Sequence, residues 1–294
     1  MPTVQSQGPA SAFDRIVDYY EQTWFDYRAV WLDRENQAFH FGYWDDEVSS
    51  HADALLNSNR VLASLAGVKP GQRILDAGCA HGGSACWLAK EHDVEVVGIT
   101  LVDRQVQAAR RAASERGLSN KVEFQNADYC NTGFADGSFD VVWALESLCH
   151  ASRKADFYAE AARLLKPGGR LIVADYMRAA RPLSERLERT CKEWLNGWAI
   201  DDIDTPEEHT ANALGAGFEA VVVRDMTQAT RRSLRRLHRL SLLVWYPDMA
   251  LSKIGVRSPT QRGNVVASRR QWQALRSQAW RYGVLSATRS DVQV

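Results

Sequence analysis

The sequence carries no excess of charge of either sign: Lys and Arg total 36, and Asp and Glu total 36. No global field therefore draws it to nucleic acid or to an anionic membrane, although local patches can hide in a balanced total. Its five cysteines (Cys79, Cys86, Cys130, Cys149, Cys191) include no C-x-x-C pair and no companion histidine spacing. That excludes a zinc site and a disulfide frame and leaves reduced thiols. No run is long and apolar enough to span a bilayer. The first ten residues lack the basic and apolar regions of a signal peptide. There is also no internal repeat and no low-complexity tract. The expectation is a cytoplasmic protein with a small-molecule partner and with neither a nucleic-acid nor a membrane partner. No set of metal ligands is legible, and assembly into a homo-oligomer is left open.

Alternation is what the chain does have. With 294 residues, 45% hydrophobic and 24% charged, it fits one large domain with an insert. Apolar strands at 73–77, 94–100, 122–126, 139–145 and 170–176 alternate with helices at 84–92, 103–116 and 155–165. Strands this apolar need cover on both faces, and right-handed crossovers wind them both ways from the middle. Further strands at 218–226 and 283–289 complete the expected fold. It is a doubly wound, Rossmann-like α/β fold, with a mostly parallel seven-stranded sheet and helices on both faces. Ligands of such sheets bind at strand carboxyl ends.

Residues 1–12 are polar and expected to be disordered, 13–70 form an N-terminal helical lid, and 71–294 form the main domain. A basic helical insert at about 228–281 precedes the last strand. In the lid, Tyr20, Trp24, Tyr27 and Trp31 share one helix face, followed by a turn-like aromatic segment holding Tyr43 and Trp44. Such a face either packs on the core or roofs a pocket. In the insert, Arg231, Arg232, Arg235, Arg236 and Arg239 lie opposite Leu234, Leu237 and Leu240. They form either a solvated face or a gate for an anionic substrate such as a diphosphate.

The chain is organised around Asp76-Ala-Gly78-Cys-Ala80-His-Gly82, between the first strand and its helix. Backbone N–H groups and a carboxylate converge there, and the glycines admit positive φ and close ligand approach. The loop is neither G-x-G-x-x-G nor a G-K-[ST] phosphate loop. Asp76 at the strand end suits an ammonium group, which a pyrophosphate would not match.

These residues resemble the acid-x-Gly-x-Gly-x-Gly loop of class I S-adenosylmethionine-dependent methyltransferases, with Ala80 in place of the middle glycine. Asn126-Ala127-Asp128-Tyr129 resembles the family's adenine-contacting segment, Phe139-Asp140-Val141-Val142 its fourth-strand signature, and Leu165-Lys166-Pro167-Gly168-Gly169 the loop before its fifth strand. The second strand ends Thr100-Leu101-Val102-Asp103-Arg104-Gln105, similar to the tocopherol, sterol and cyclopropane-synthase branch, where a threonine and a glutamine replace the ribose-binding acid. The resemblance implies S-adenosylmethionine as cofactor and S-adenosylhomocysteine as product. It implies binding by Asp76, Gly78, Gly82, Thr100, Leu101, Gln105, Asp128 and Tyr129. Asp103 is expected to cap the following helix. Participation of a divalent metal is left open.

Glu146-Ser147-Leu148-Cys149-His150 resembles the Glu-Ser-x-x-His of the tocopherol and sterol branch. Glu146 either has a structural role, capping the next helix or holding a lid residue, or stabilises positive charge on the substrate and removes a proton. His150 either orients that carboxylate or serves as the base. The leading expectation is C-methylation of an isoprenoid alkene such as a prenyl diphosphate, as in similar bacterial isoprenoid C-methyltransferases. Tyr20, Trp24, Tyr43, Trp44 and Tyr176 would then form an aromatic substrate wall that stabilises a carbocation. The alternatives are N- or O-methylation of an aromatic or alkaloid-like metabolite, and a non-catalytic cofactor-binding subunit.

Overall fold

Alternating side chains decide how the central sheet is buried. In β1 (Arg73–Ala77), Ile74 joins one core cluster and Leu75 the other; Val96 and Val97 of β2 (Glu95–Thr100) divide the same way. So do Val141 and Val142 of β4 (Phe139–Leu145). A period of two with apolar residues on both sides demands helices on both faces. In the computed structural model, which describes residues 11–28 and 36–291, both faces are covered. Helices α3 (Gly83–His92) and α4 (Asp103–Glu115) pack on the first cluster, α5 (Lys154–Leu164) and α7 (Pro206–Gly215) on the second.

The remaining strands are β3 (Val122–Asn126), β5 (Leu165–Arg178), β6 (Phe218–Asp225) and β7 (Trp280–Arg289). The sheet order is β3-β2-β1-β4-β5-β7-β6, with β1 to β5 parallel and β7 antiparallel to both neighbours. The expected doubly wound fold is therefore present. Winding reverses between β1 and β4, so the crevice outside their carboxyl ends is where a ligand belongs.

Boundaries differ where distant pairing, invisible to local pattern, extends a strand. Leu165 pairs with Phe139, so β5 starts where a loop was expected and takes up residues 166–169 as a register shift. Trp280 pairs with Arg178, so β7 begins three residues before the expected position. The basic insert resolves into α8 (Thr227–Leu243), α9 (Trp245–Lys253) and α10 (Pro259–Arg276). Helix α1 (Ala12–Asp26) is capped by Ser11 in a capping box with Asp14, so positions 11 and 12 are ordered. The rest of the expected disordered tail, residues 1–10, and Trp31 lie outside the described residues. Two further helices, α2 (His51–Ala66) and α6 (Glu185–Gly197), complete the first face.

The tryptophan content is largely core. Trp143, Trp194 and Trp280 are fully buried, and truncating any of them to alanine would cost about 3–5 kcal/mol. Among the described residues no helix is long and apolar enough to cross a membrane.

Candidate active site

The turn between β1 and α3 holds three positive φ angles: Gly78 at 92°, Ala80 at 44° and Gly82 at 75°. A Cβ on Gly78 would collide with Ser147, so glycine alone lets this turn pass beneath the end of β4. At Gly82 a Cβ would meet the Phe124 ring at 2.6 Å, so this glycine serves helix–strand packing and does not line the cavity. Ala80 holds a left-handed conformation that costs an alanine roughly 1 kcal/mol. Ala80→Gly should therefore raise the melting temperature by about 1–2 °C, after subtracting the extra freedom glycine gives the unfolded chain. A lower melting temperature would show instead that the Ala80 methyl group holds the turn.

Asp76, next to the last residue of β1, is 2% exposed, and its Oδ2 has no hydrogen-bond partner among the described residues. Burial pushes its pKa up to about 7, against the pull of the Ala85 N–H. A buried carboxylate with an orphaned oxygen is costly unless a cation joins it. It faces a recess lined by Gly78, Cys79, Ala80, Ser84 and Leu145.

That recess adjoins a cavity of about 610 Å³ spread over the carboxyl ends of β1, β2 and β4. In its lining, the Thr100 hydroxyl donates to Gln105 Oε1 at 2.7 Å, and Leu101, Asp128 and Tyr129 also contribute. Asp128 Oδ1 accepts the Cys130 N–H at 2.8 Å, while the Tyr129 hydroxyl donates to the Ser147 carbonyl at 2.9 Å. Asp103 is not the helix cap. Val102 holds that position without a side-chain bond, and Asp103 accepts from Asn126 Nδ2 at 2.7 Å.

Glu146 also lines the cavity and is left-handed at φ 51°. Its Oε1 accepts the Phe41 N–H at 2.7 Å and the Tyr282 hydroxyl at 2.8 Å; its Oε2 accepts the Tyr176 hydroxyl at 2.7 Å. Burial pushes its pKa up to about 8, opposed by those three donors. The carboxylate thus ties the segment after α1 to β5 and β7, with both of its oxygens accepting from the protein. His150 ends a short 3-10 turn, Leu148–His150, and its Nε2 lies 3.0 Å from the Tyr20 hydroxyl. Nδ1 makes no geometrically complete hydrogen bond, although the Ala199 carbonyl faces the ring as an acceptor. Burial lowers the His150 pKa to about 4, so the imidazole is neutral at physiological pH. Burial holds the Tyr20 hydroxyl well above its ordinary value. In this pair Tyr20 donates and Nε2 accepts.

Of the expected aromatic wall, Tyr20 and Tyr176 line the cavity and Trp24, Tyr43 and Trp44 do not. Trp24 packs on His81 with ring centroids 4.8 Å apart, and Trp44 donates to Ser233 at 3.0 Å with Arg232 over its ring. The Tyr43 N–H is taken by Ser58 and Ala54. Helical spacing tells which rings share a face, not what that face meets. Phe39, Phe41, Leu237, Leu240 and Val265 supply apolar wall in their place. Sequence reasoning missed Phe41 and Tyr282 as partners of Glu146, because both arrive by long-range packing.

A doubly wound sheet whose switch point holds a glycine turn, an orphaned acid and an apolar cavity defines an enzyme that binds a cationic nucleoside cofactor beside a small acceptor. The methyltransferase-domain family model matches residues 75–173. The 27-O-demethylrifamycin SV methyltransferase of Amycolatopsis mediterranei is 34% identical over 75% of this chain and 77% of its own. Methyltransferase GfsG of Streptomyces halstedii is 37% identical over 75% and 78%. Tocopherol and sterol methyltransferases are also relatives. A geranyl diphosphate C-methyltransferase from Streptomyces coelicolor shares the fold with a TM-score of 0.71, covering 96% of this chain and 98% of that one at 18% identity. The chain belongs to the S-adenosylmethionine-dependent methyltransferases, and S-adenosylmethionine is its cofactor.

Proposed function

We propose that this methyltransferase acts on a hydroxyl oxygen of a largely apolar metabolite, with Tyr20 and His150 as the route by which the proton leaves. The observation that carries this reading is the 3.0 Å contact between the Tyr20 hydroxyl and a neutral His150 on the cavity wall. S-adenosylmethionine supplies an electrophilic methyl group on a sulfonium. Asp76 would hold its ammonium, Thr100 and Gln105 the ribose, and Asp128 the adenine. Residues on both sides of the acceptor then do two jobs. Apolar walls from Tyr19, Phe41, Leu237 and Val265 exclude water and orient the acceptor, which supplies most of the rate in an in-line transfer. As the acceptor oxygen loses its proton to the Tyr20 oxygen, Tyr20 passes its own to His150 Nε2. Glu146 is a fixed hydrogen-bonding anchor; its three bonds argue against its serving as the proton acceptor.

Support from the relatives runs the same way, since one is named for an O-demethyl substrate. A second reading, C-methylation of an isoprenoid alkene, is favoured by the Glu146 carboxylate amid Phe41, Tyr176 and Tyr282. A diphosphate would need cations, yet Arg231 and Arg235 lie over Trp272 and Arg232 over Trp44, while Leu237 and Leu240 of α8 face the cavity. Arg257 and Arg153, which do line it, are engaged by Asp26 and Asp248 and by Asp156 respectively. Assaying S-adenosylhomocysteine release with matched acceptors separates the readings. Phenolic and polyketide alcohols should turn over, and their O-blocked counterparts and geranyl diphosphate should not. Turnover of geranyl diphosphate with proton release would reverse the assignment.

Cofactor affinity should also follow pH. Asp76 titrates near 7 without the cofactor, and an ammonium needs its ionised form. Affinity for S-adenosylhomocysteine, measured by calorimetry, should be constant above pH 8. It should weaken by up to about tenfold per pH unit below 7, with proton release on binding. A flat profile between pH 6 and 8 would remove Asp76 from ammonium recognition.

A further inference from the structure

Lys154 opens α5 at 5% exposure, where the helix dipole is positive, and its ammonium forms no ion pair among the described residues. Burying a cation there is unfavourable unless its hydrogens are satisfied. Lys154 Nζ donates to three backbone carbonyls: Cys149 at 3.2 Å, Ala151 at 2.8 Å and Asp202 at 2.6 Å. Two of these flank His150. The third belongs to the acidic segment after α6, which Arg178 and Arg181 grip through the Asp202 side chain. From the opposite side, Asp175 of β5 accepts the Cys149 N–H at 2.8 Å. The short turn that presents His150 is therefore clamped by a buried cation on its carbonyls and a buried carboxylate on its amide.

We infer that Lys154 is a positioning residue for methyl transfer: its ammonium fixes the turn that carries His150 and, alongside burial, disfavours a second positive charge on that turn. Other groups face the ring. Tyr20 from α1 is neutral; Asp201, whose charge favours the imidazolium, is paired with Arg15 and Ser152. Glu146 and Cys149 lie on the same segment, and Asp175 behind it. Among these, Lys154 is the cation whose field opposes protonation, and it acts alongside burial, the larger cause.

The inference rests on His150 as proton acceptor, but its test does not. The probe is NMR titration of the His150 ring in the intact, S-adenosylhomocysteine-bound protein, for wild type, Lys154→Gln, Lys154→Met and Lys154→Arg. Gln keeps two donors without charge, and Arg keeps the charge. Wild type and Arg should titrate near 4, and Gln and Met should titrate measurably higher, with burial still holding the ring below its ordinary value. A folded Gln or Met variant titrating with wild type would overturn the inference. If neither neutral variant folds, a wild-type His150 titrating at its ordinary value would overturn it equally. An unchanged rate in His150→Ala would remove the base and leave this titration result standing.

Discussion

His150→Ala lowers kcat by about 10²- to 10⁴-fold at neutral pH, the span that loss of a positioned general base covers. Affinity for S-adenosylhomocysteine stays at the wild-type level, because the residues assigned to the cofactor (Asp76, Thr100, Gln105 and Asp128) do not include His150. Tyr20→Phe acts in the same direction, since it cuts the bond through which the acceptor proton reaches Nε2. The pair should be non-additive: once His150 is absent, removing the Tyr20 hydroxyl costs little more. Steady-state rates with calorimetric cofactor binding check this. Two full, additive losses would mean that the residues act separately.

Asp76→Asn produces the other large effect, and it splits binding from stability. Loss of a buried charge-assisted contact costs about 3 kcal/mol, so S-adenosylhomocysteine should bind about 10²-fold more weakly. The cofactor-free protein should nevertheless melt higher than wild type, since the amide carries no desolvated charge. The sign follows from the raised pKa. Between about 4 and 7 the folded state holds a proton that the unfolded chain has lost, so wild-type stability falls as pH rises through that window. The asparagine variant should lack this slope. Equal affinity in the two proteins would place the ammonium elsewhere.

Much of this architecture was legible because it is local. The limits of β1, β3 and β4 follow from apolar runs closed by turn residues, and the Thr100–Gln105 contact lies within one strand-to-helix turn. Glu146 was legible as a singular acid at a strand end. Its partners were not, because Phe41 reaches it across 105 positions and Tyr282 across 136. Trp24 was assigned to the substrate wall from helical spacing, and Tyr43 and Trp44 from a turn-like aromatic segment; none lines the cavity, with Trp24 packed on His81, the Tyr43 backbone N–H bonded to Ser58 and the Trp44 indole bonded to Ser233. The insert arginines kept their helical face, but Trp44 and Trp272 take up three of them. Lys154 left one readable signal, a lysine opening a helix against the dipole.

The central claim is that a neutral His150, reached through Tyr20, accepts the acceptor's proton. The most direct test is the pH dependence of kcat at saturating S-adenosylmethionine, which removes the contribution of Asp76 to binding. The account predicts an acid limb near 4, the value burial imposes on His150, and its disappearance in His150→Ala. A limb near 8 that survives in His150→Ala and vanishes in Glu146→Gln would contradict it, and would give the proton to the carboxylate instead.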